Sequence, residues 1–165
     1  MMKERYPRLE FNLASLKHNV AHTVELCGSC GIQVAGVIKG ATGDVEVART
    51  FEQGGAAFIA SSRLEQIEDA RDAGIEKKMI LIRIPMLSEV EDVIRLCDIS
   101  LNSELEVLKA LNEEASKQGK LHKVILMADL GDLREGFWDK DELAELLGEY
   151  GLFATPKPVK MIQEF

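Results

Sequence analysis

The sequence predicts an α/β fold in which parallel strands are joined by crossover helices. Short apolar runs rich in branched residues alternate with amphipathic stretches, and their starts recur about every 22 residues, the length of a compact strand-loop-helix-loop unit. The runs are nearly continuous in apolar residues. That is the pattern of strands covered on both faces, and helices on both sides of a sheet imply parallel pairing.

The elements follow in order. A strand-like piece at 9–13 leads in without joining the main sheet, and a first helix is expected over 14–30. Strands are expected at 34–38, 57–60, 79–84, 98–101 and 123–128. Helices are expected near 45–53, 63–73, 87–97, 103–118 and 140–150. Asp44 is placed to cap the helix after the first strand. Ser88 lies three residues before Glu91 and Ser103 three before Glu106, both capping-box spacings. Gly54, Gly74, Gly119 and Gly151 stand where helices stop and a left-handed residue is wanted. No linker or low-complexity segment divides this pattern, so one domain is expected.

Composition narrows the function classes. The chain has 165 residues, an ordinary apolar share of 46% and a net charge of −8. Its Lys and Arg residues are scattered among Glu and Asp, with no basic stripe carrying aromatics, so nucleic acid is not an expected partner. Residues 1–7 are charged, and no apolar run approaches the roughly 20 residues of a spanning helix, so no membrane role is expected and a cytoplasmic location is. Cys27, Cys30 and Cys97 give an odd count, which argues against a disulfide framework. Cys27 and Cys30 form a C-x-x-C, but it closes a helix rather than opening one and has no second ligand pair. His18 and His22 share a helix face without a third ligand, and His122 begins a strand at the end opposite Lys39. No metal site is expected.

The residue that points to chemistry is Lys39, in Val34-Ala35-Gly36-Val37-Ile38-Lys39-Gly40-Ala41-Thr42-Gly43-Asp44. An amine at the end of an apolar strand, opening into a glycine-containing turn before a helix, stands where a barrel enzyme would hold a carbonyl cofactor as a Schiff base. The same position also suits a strand-end lysine that reaches into solvent. Arg83, Asn102 and Asp129 lie at or just beyond strand ends, where each could line a pocket or fix a loop. Ser61-Ser62-Arg63 could touch a cofactor or cap the next helix.

Several segments in series carry a resemblance: Tyr6-Pro7-Arg8-Leu9-Glu10-Phe11-Asn12-Leu13, the Lys39 segment, Leu81-Ile82-Arg83-Ile84-Pro85-Met86-Leu87-Ser88 and Ile99-Ser100-Leu101-Asn102-Ser103-Glu104. The most specific is Val124-Ile125-Leu126-Met127-Ala128-Asp129-Leu130-Gly131-Asp132-Leu133-Arg134-Glu135-Gly136. From about Tyr6 to Trp138 the chain resembles the alanine racemase N-terminal-domain family, and within it the ornithine racemase branch.

The resemblance implies a (β/α)8 TIM-type, PLP-binding barrel and a pyridoxal 5′-phosphate enzyme, with Lys39 as the Schiff-base lysine and an acid-base group. It implies that Arg134 is a cofactor-binding cation near the ring's phenolic oxygen; the local alternative pairs Arg134 with Asp129, Asp132 or Glu135. The implied activity is racemisation of a small-molecule amino acid, ornithine or another basic one. A non-catalytic PLP-binding homeostasis protein or an inactive remnant is the alternative.

A full barrel takes about 250 residues, and at about 22 per unit three further strands would need about 65 more. The expectation is therefore a truncated member with about five of eight barrel strands in a domain at 1–151, followed by a non-family tail at 152–165 containing Pro156 and Pro158. The family's phosphate-gripping late strands would lie beyond the matched segments. Two uncovered sheet edges would favour homo-oligomers.

Overall fold

A computed structural model of the chain describes residues 9–149. Helix α1 (Leu13–Ser29) precedes five strand-helix units: β1 (Ala35–Val37), α2 (Val45–Gln53), β2 (Phe58–Ser61), α3 (Leu64–Asp72), β3 (Lys78–Leu81), α4 (Val90–Leu96), β4 (Ile99–Asn102), α5 (Leu105–Gln118), β5 (Lys123–Leu126) and α6 (Lys140–Glu149). The strands form one five-stranded sheet in the order β1-β2-β3-β4-β5, and every pairing is parallel. This is a partial (β/α) barrel. The five expected sheet strands and six expected helices are present, whereas the strand-like piece expected at 9–13 is not; Gly151 and the tail at 152–165 lie outside the described residues.

The two faces of the sheet are distinct. Ile59, Met79 and Leu81 pack with Ile38, Ile67, Val93, Ile94 and Leu111 into the main core beneath the helices. The other face carries Phe58, Ala60, Ile80, Ile82 and Ile99. Its outer columns are bare: Val37 is 42% and Ile125 45% exposed. The strand period of two assigns Val37 there, because Gly36 faces Phe51 of α2. Among the described residues no helix is long and apolar enough to cross a membrane.

Local chemistry explains where the elements begin and end. Residues 9–12 form no strand; the Asn12 side chain instead accepts from the Ser15 amide at 3.0 Å and caps α1. Asp44 caps α2 as expected, accepting from the Val47 amide at 3.0 Å. Gly74 and Gly119 are left-handed as expected, at φ 78° and 63°. Gly54 is not: its φ is −77°, and the left-handed role passes to Gly55 at φ 92°. What Gly54 supplies is proximity, since a Cβ there would lie 2.5 Å from Val20 of α1.

Neither expected capping box forms. Glu89, not Glu91, folds back, accepting from the Met86 amide at 3.0 Å. At α5 the cap position is Glu104 without a side-chain cap, and Ser103 is buried. Strand β3 ends at Leu81, short of residue 84, although the Ile82 amide still donates to the Ser61 carbonyl.

The end of the sheet where the strands begin is braced by half-buried and exposed charged side chains. Arg71 donates to the carbonyls of Leu96 and Lys77 and to Asp98 at 2.7 Å, while Asp98 also accepts from the Met79 amide. Lys120 donates to the carbonyls of Ile94 and Arg95 at the end of α4.

The tightest backbone-to-side-chain fit in β1 gives a test. A Cβ on Gly36 would stand 2.5 Å from the Phe51 ring. Gly36→Ala is expected to cost about 1–3 kcal/mol through overpacking, partly recovered by adding Phe51→Leu. Urea unfolding of the two variants against the parent chain reads this directly.

Candidate functional site

Because every strand runs the same way, the five strand ends and the loops leaving them share one end of the sheet. In β/α barrels that end carries the chemistry. Lys39, Ser61, Arg83, Asn102 and the loop bearing Arg134 all stand there.

Lys39 opens a single 3-10 turn, Lys39–Ala41, and Thr42 and Gly43 follow with φ of 54° and 82°. The turn is held from the neighbouring strand. The Gln66 stem lies against Gly43, where a Cβ would be 2.5 Å away, and the Gln66 carbonyl oxygen accepts from the Ser61 hydroxyl at 2.6 Å. Ser61 in turn accepts from the Arg63 amide at 3.3 Å. The Ser61-Ser62-Arg63 segment therefore braces the start of α3. The Lys39 side chain is exposed and has no hydrogen-bond or ion-pair partner among the described residues.

Arg83 fixes loops. Its guanidinium donates to the Ser62 carbonyl at 2.7 Å and the Ile84 carbonyl at 3.1 Å, and grips both oxygens of Glu89 at 2.7 Å. The hydrogen bond from Arg83 holds the Glu89 carboxyl below its ordinary range, and the same bond raises Arg83. This fork-to-fork pair draws Glu89 back onto Met86, which is why the capping register shifts. Glu89 is the residue that sequence spacing missed. A bidentate partner six positions away on a loop leaves no periodic signal.

Asn102 is fully buried, its amide nitrogen donating to the Ser100 carbonyl and hydroxyl, each at 3.0 Å. Asp129 shapes the segment after β5. Its carboxylate accepts from the amides of Gly131 at 2.7 Å and Leu133 at 3.3 Å, and those backbone bonds hold it below the ordinary carboxylate range. The neck of the loop is closed by two main-chain bonds, Phe137 amide to Met127 carbonyl and Asp129 amide to Phe137 carbonyl. Gly136 lets the strands of the neck touch; a Cβ there would lie 2.5 Å from the Asp129 nitrogen, and its φ is 129°.

Arg134 rides on this loop with its side chain 74% exposed, and its nearest acid is Glu135 at 3.8 Å. The turn with Lys39 and the loop with Arg134 thus leave the same end of the sheet from its two edge strands, and no bond joins the two residues.

Other candidates stand apart. His18 and His22 are exposed on α1. Cys27 lies in the last turn of α1 and Cys30 caps it. Cys97 is buried, and desolvation pushes its thiol up to about 12, so it stays protonated and unreactive. Among the described residues no three His, Cys, Asp or Glu side chains gather as a metal would need. A cavity of about 490 Å³ lined by Leu108, Leu111, Val124 and Leu146 sits in the helix layer between α5 and α6, away from the strand ends.

Comparison with known proteins bears on the family and the fold. The model of the alanine racemase N-terminal domain matches residues 11–154. An ornithine racemase of Acetoanaerobium sticklandii is 38% identical over 87% of this chain and 40% of its own length. A lysine racemase of Thermotoga maritima is 34% identical over 86% of this chain and 40% of its own. The chain therefore spans about 40% of the length of these curated relatives. Among solved structures, alanine racemase of Clostridium difficile 630 superposes with a TM-score of 0.70 at 26% identity, over 83% of this chain and 36% of that one.

The loop that carries Arg134 has a pH-dependent lock. With the folded-state value of Asp129 below its ordinary one, its contribution is complete above the ordinary carboxylate range and is lost as pH falls through the depressed value. Amide exchange at Gly131 and Leu133 should stay slow down to that lowered pH. Asp129→Ala should abolish the protection at all pH values, and Asp129→Asn should retain part of it without the pH dependence.

Proposed function

The chain belongs to the alanine racemase N-terminal-domain family, and from that membership we propose that it furnishes the lysine and the arginine of a pyridoxal 5′-phosphate site serving amino-acid racemisation. The observation that carries this reading is that the turn opened by Lys39, after β1, and the loop bearing Arg134, after β5, leave the same end of the sheet. Four strand steps in an eight-stranded ring are half a circuit, so in a closed barrel the ends of β1 and β5 would stand on opposite sides of the mouth.

Both residues suit the cofactor. Lys39 offers an exposed amine with no competing partner among the described residues, able to bond covalently to a carbonyl. Arg134 offers a permanent cation whose nearest acid is 3.8 Å away, and its planar fork matches an oxyanion such as the ring's phenolic oxygen. When bound, the pyridoxal ring supplies an electron sink for the charge left on the substrate α-carbon. Lys39 would hold the cofactor and, as a free amine, would be the group that takes a proton from that carbon or returns one to it. Arg134 would hold the ring's oxygen by charge and hydrogen bonding.

The substrate we assign is ornithine or another basic amino acid, because the ornithine and lysine racemases match at 38% and 34% identity. The bare columns at Val37 and Ile125 on the two edge strands are where we place association with further copies.

The test is to add pyridoxal phosphate, reduce with borohydride and map the labelled lysine by mass spectrometry. A stoichiometric adduct at Lys39, absent in Lys39→Ala and weakened at least about tenfold in affinity by Arg134→Met, is the expected result; loss of one charged hydrogen bond is worth about 1.5–3 kcal/mol. Scattered labelling unchanged by either substitution would overturn the assignment. Interconversion of D- and L-ornithine then separates a racemase from a protein that only holds the cofactor.

A further inference from the structure

A directed line of hydrogen bonds runs the length of β4, from a histidine at one end of the sheet to the site end. Its polarity follows from a single atom. The Asn102 amide nitrogen donates to the Ser100 carbonyl, which fixes which way the carboxamide faces. The same nitrogen donates to the Ser100 hydroxyl oxygen at 3.0 Å, leaving the hydroxyl hydrogen for His122 Nε2 at 2.8 Å. His122 Nδ1 faces the Cys97 carbonyl at 3.2 Å and must carry the ring hydrogen. Every donor is used in the neutral state. One acceptor is not: Asn102 Oδ1 is buried with no partner among the described residues.

We propose that His122, Ser100 and Asn102 form a proton-sensing relay in which protonation of His122 turns the Asn102 carboxamide at the site end of β4. A proton on Nε2 makes that atom a donor to the Ser100 hydroxyl oxygen. The hydroxyl hydrogen then loses its acceptor, and the spare one beside it is Asn102 Oδ1. To reach it the carboxamide must turn and release the Ser100 carbonyl. That loss sets the cost of the second state; separately, burial of the ring lowers His122 below its ordinary value.

The turned residue also anchors the Arg134 loop, because the Asn102 carbonyl receives the Met127 amide and the Met127 carbonyl receives that of Phe137. The charged groups around the ring at the strand-start end are paired. Asp98 is paired with Arg71, Arg95 with Glu68 and Asp92, and Lys120 with two carbonyls; Lys109 and Glu113 of α5 line the cavity that His122 borders, and the Cys97 thiol stays neutral.

Nuclear magnetic resonance of the isotope-labelled chain tests it. The ring nitrogens of His122 should report the Nδ1–H form at neutral pH. On acidification the Asn102 side-chain amide and the Met127 and Phe137 backbone amides should shift with the His122 midpoint. In Ser100→Ala, with an unchanged circular dichroism spectrum, His122 should still titrate while the Asn102 signal no longer follows it. An Nε2–H ring at neutral pH, or an Asn102 amide that stays still while His122 titrates, would overturn the proposal.

Discussion

Parallel pairing of the five strands is the constraint on which everything else here depends. It sends every strand end to one side, and it lets departing loops lean on a neighbouring strand-helix unit. The Lys39 turn rests on Gln66, which holds Ser61 at the end of β2. The β3 loop is tied through Arg83 to the Ser62 carbonyl. The β5 loop hangs from the Asn102 carbonyl through Met127. Loops that would otherwise move independently are thereby linked across the sheet, which suits a surface that must hold two cations in register.

The two ends of the sheet use charge differently. Where strands begin, Arg71 and Lys120 are consumed by carbonyls and by Asp98, an arrangement that stabilises helix ends. Where strands end, Arg83 is consumed by Glu89, but Lys39 and Arg134 are left accessible. Both are cations in a chain of net charge −8. A free amine and a guanidinium held only by its sequence neighbour Glu135 at 3.8 Å favour an anionic ligand, and the two together favour one that offers a carbonyl and an oxyanion.

Much of this was legible in the sequence. The alternation of apolar runs and amphipathic stretches gave each strand and helix of the described chain, because burial beneath helices leaves a periodic mark. Asp44 and the left-handed Gly74 and Gly119 were legible for the same local reason. What escaped depended on contacts distant in sequence or on a choice among near neighbours. Glu89 takes the capping role because Arg83 pulls on it, and Gly54 serves close packing against Val20 while Gly55 turns the chain. His122 reads as a strand-starting residue, and only the fold sets it against Ser100. For the candidate site, the sequence marked Lys39 and Arg134 and the family they resemble. It did not show how Asp129 and Gly136 brace the loop under Arg134.

The central claim is that one ligand bridges the two edge strands at their C-terminal ends. A crystal structure of the chain grown with pyridoxal phosphate tests it most directly. The account predicts a single molecule bonded to Lys39 Nζ, with the Arg134 guanidinium within about 2.7–3.2 Å of its phenolic oxygen. A molecule lodged elsewhere, such as the cavity between α5 and α6, or one that touches Lys39 while Arg134 remains on Glu135, would contradict it.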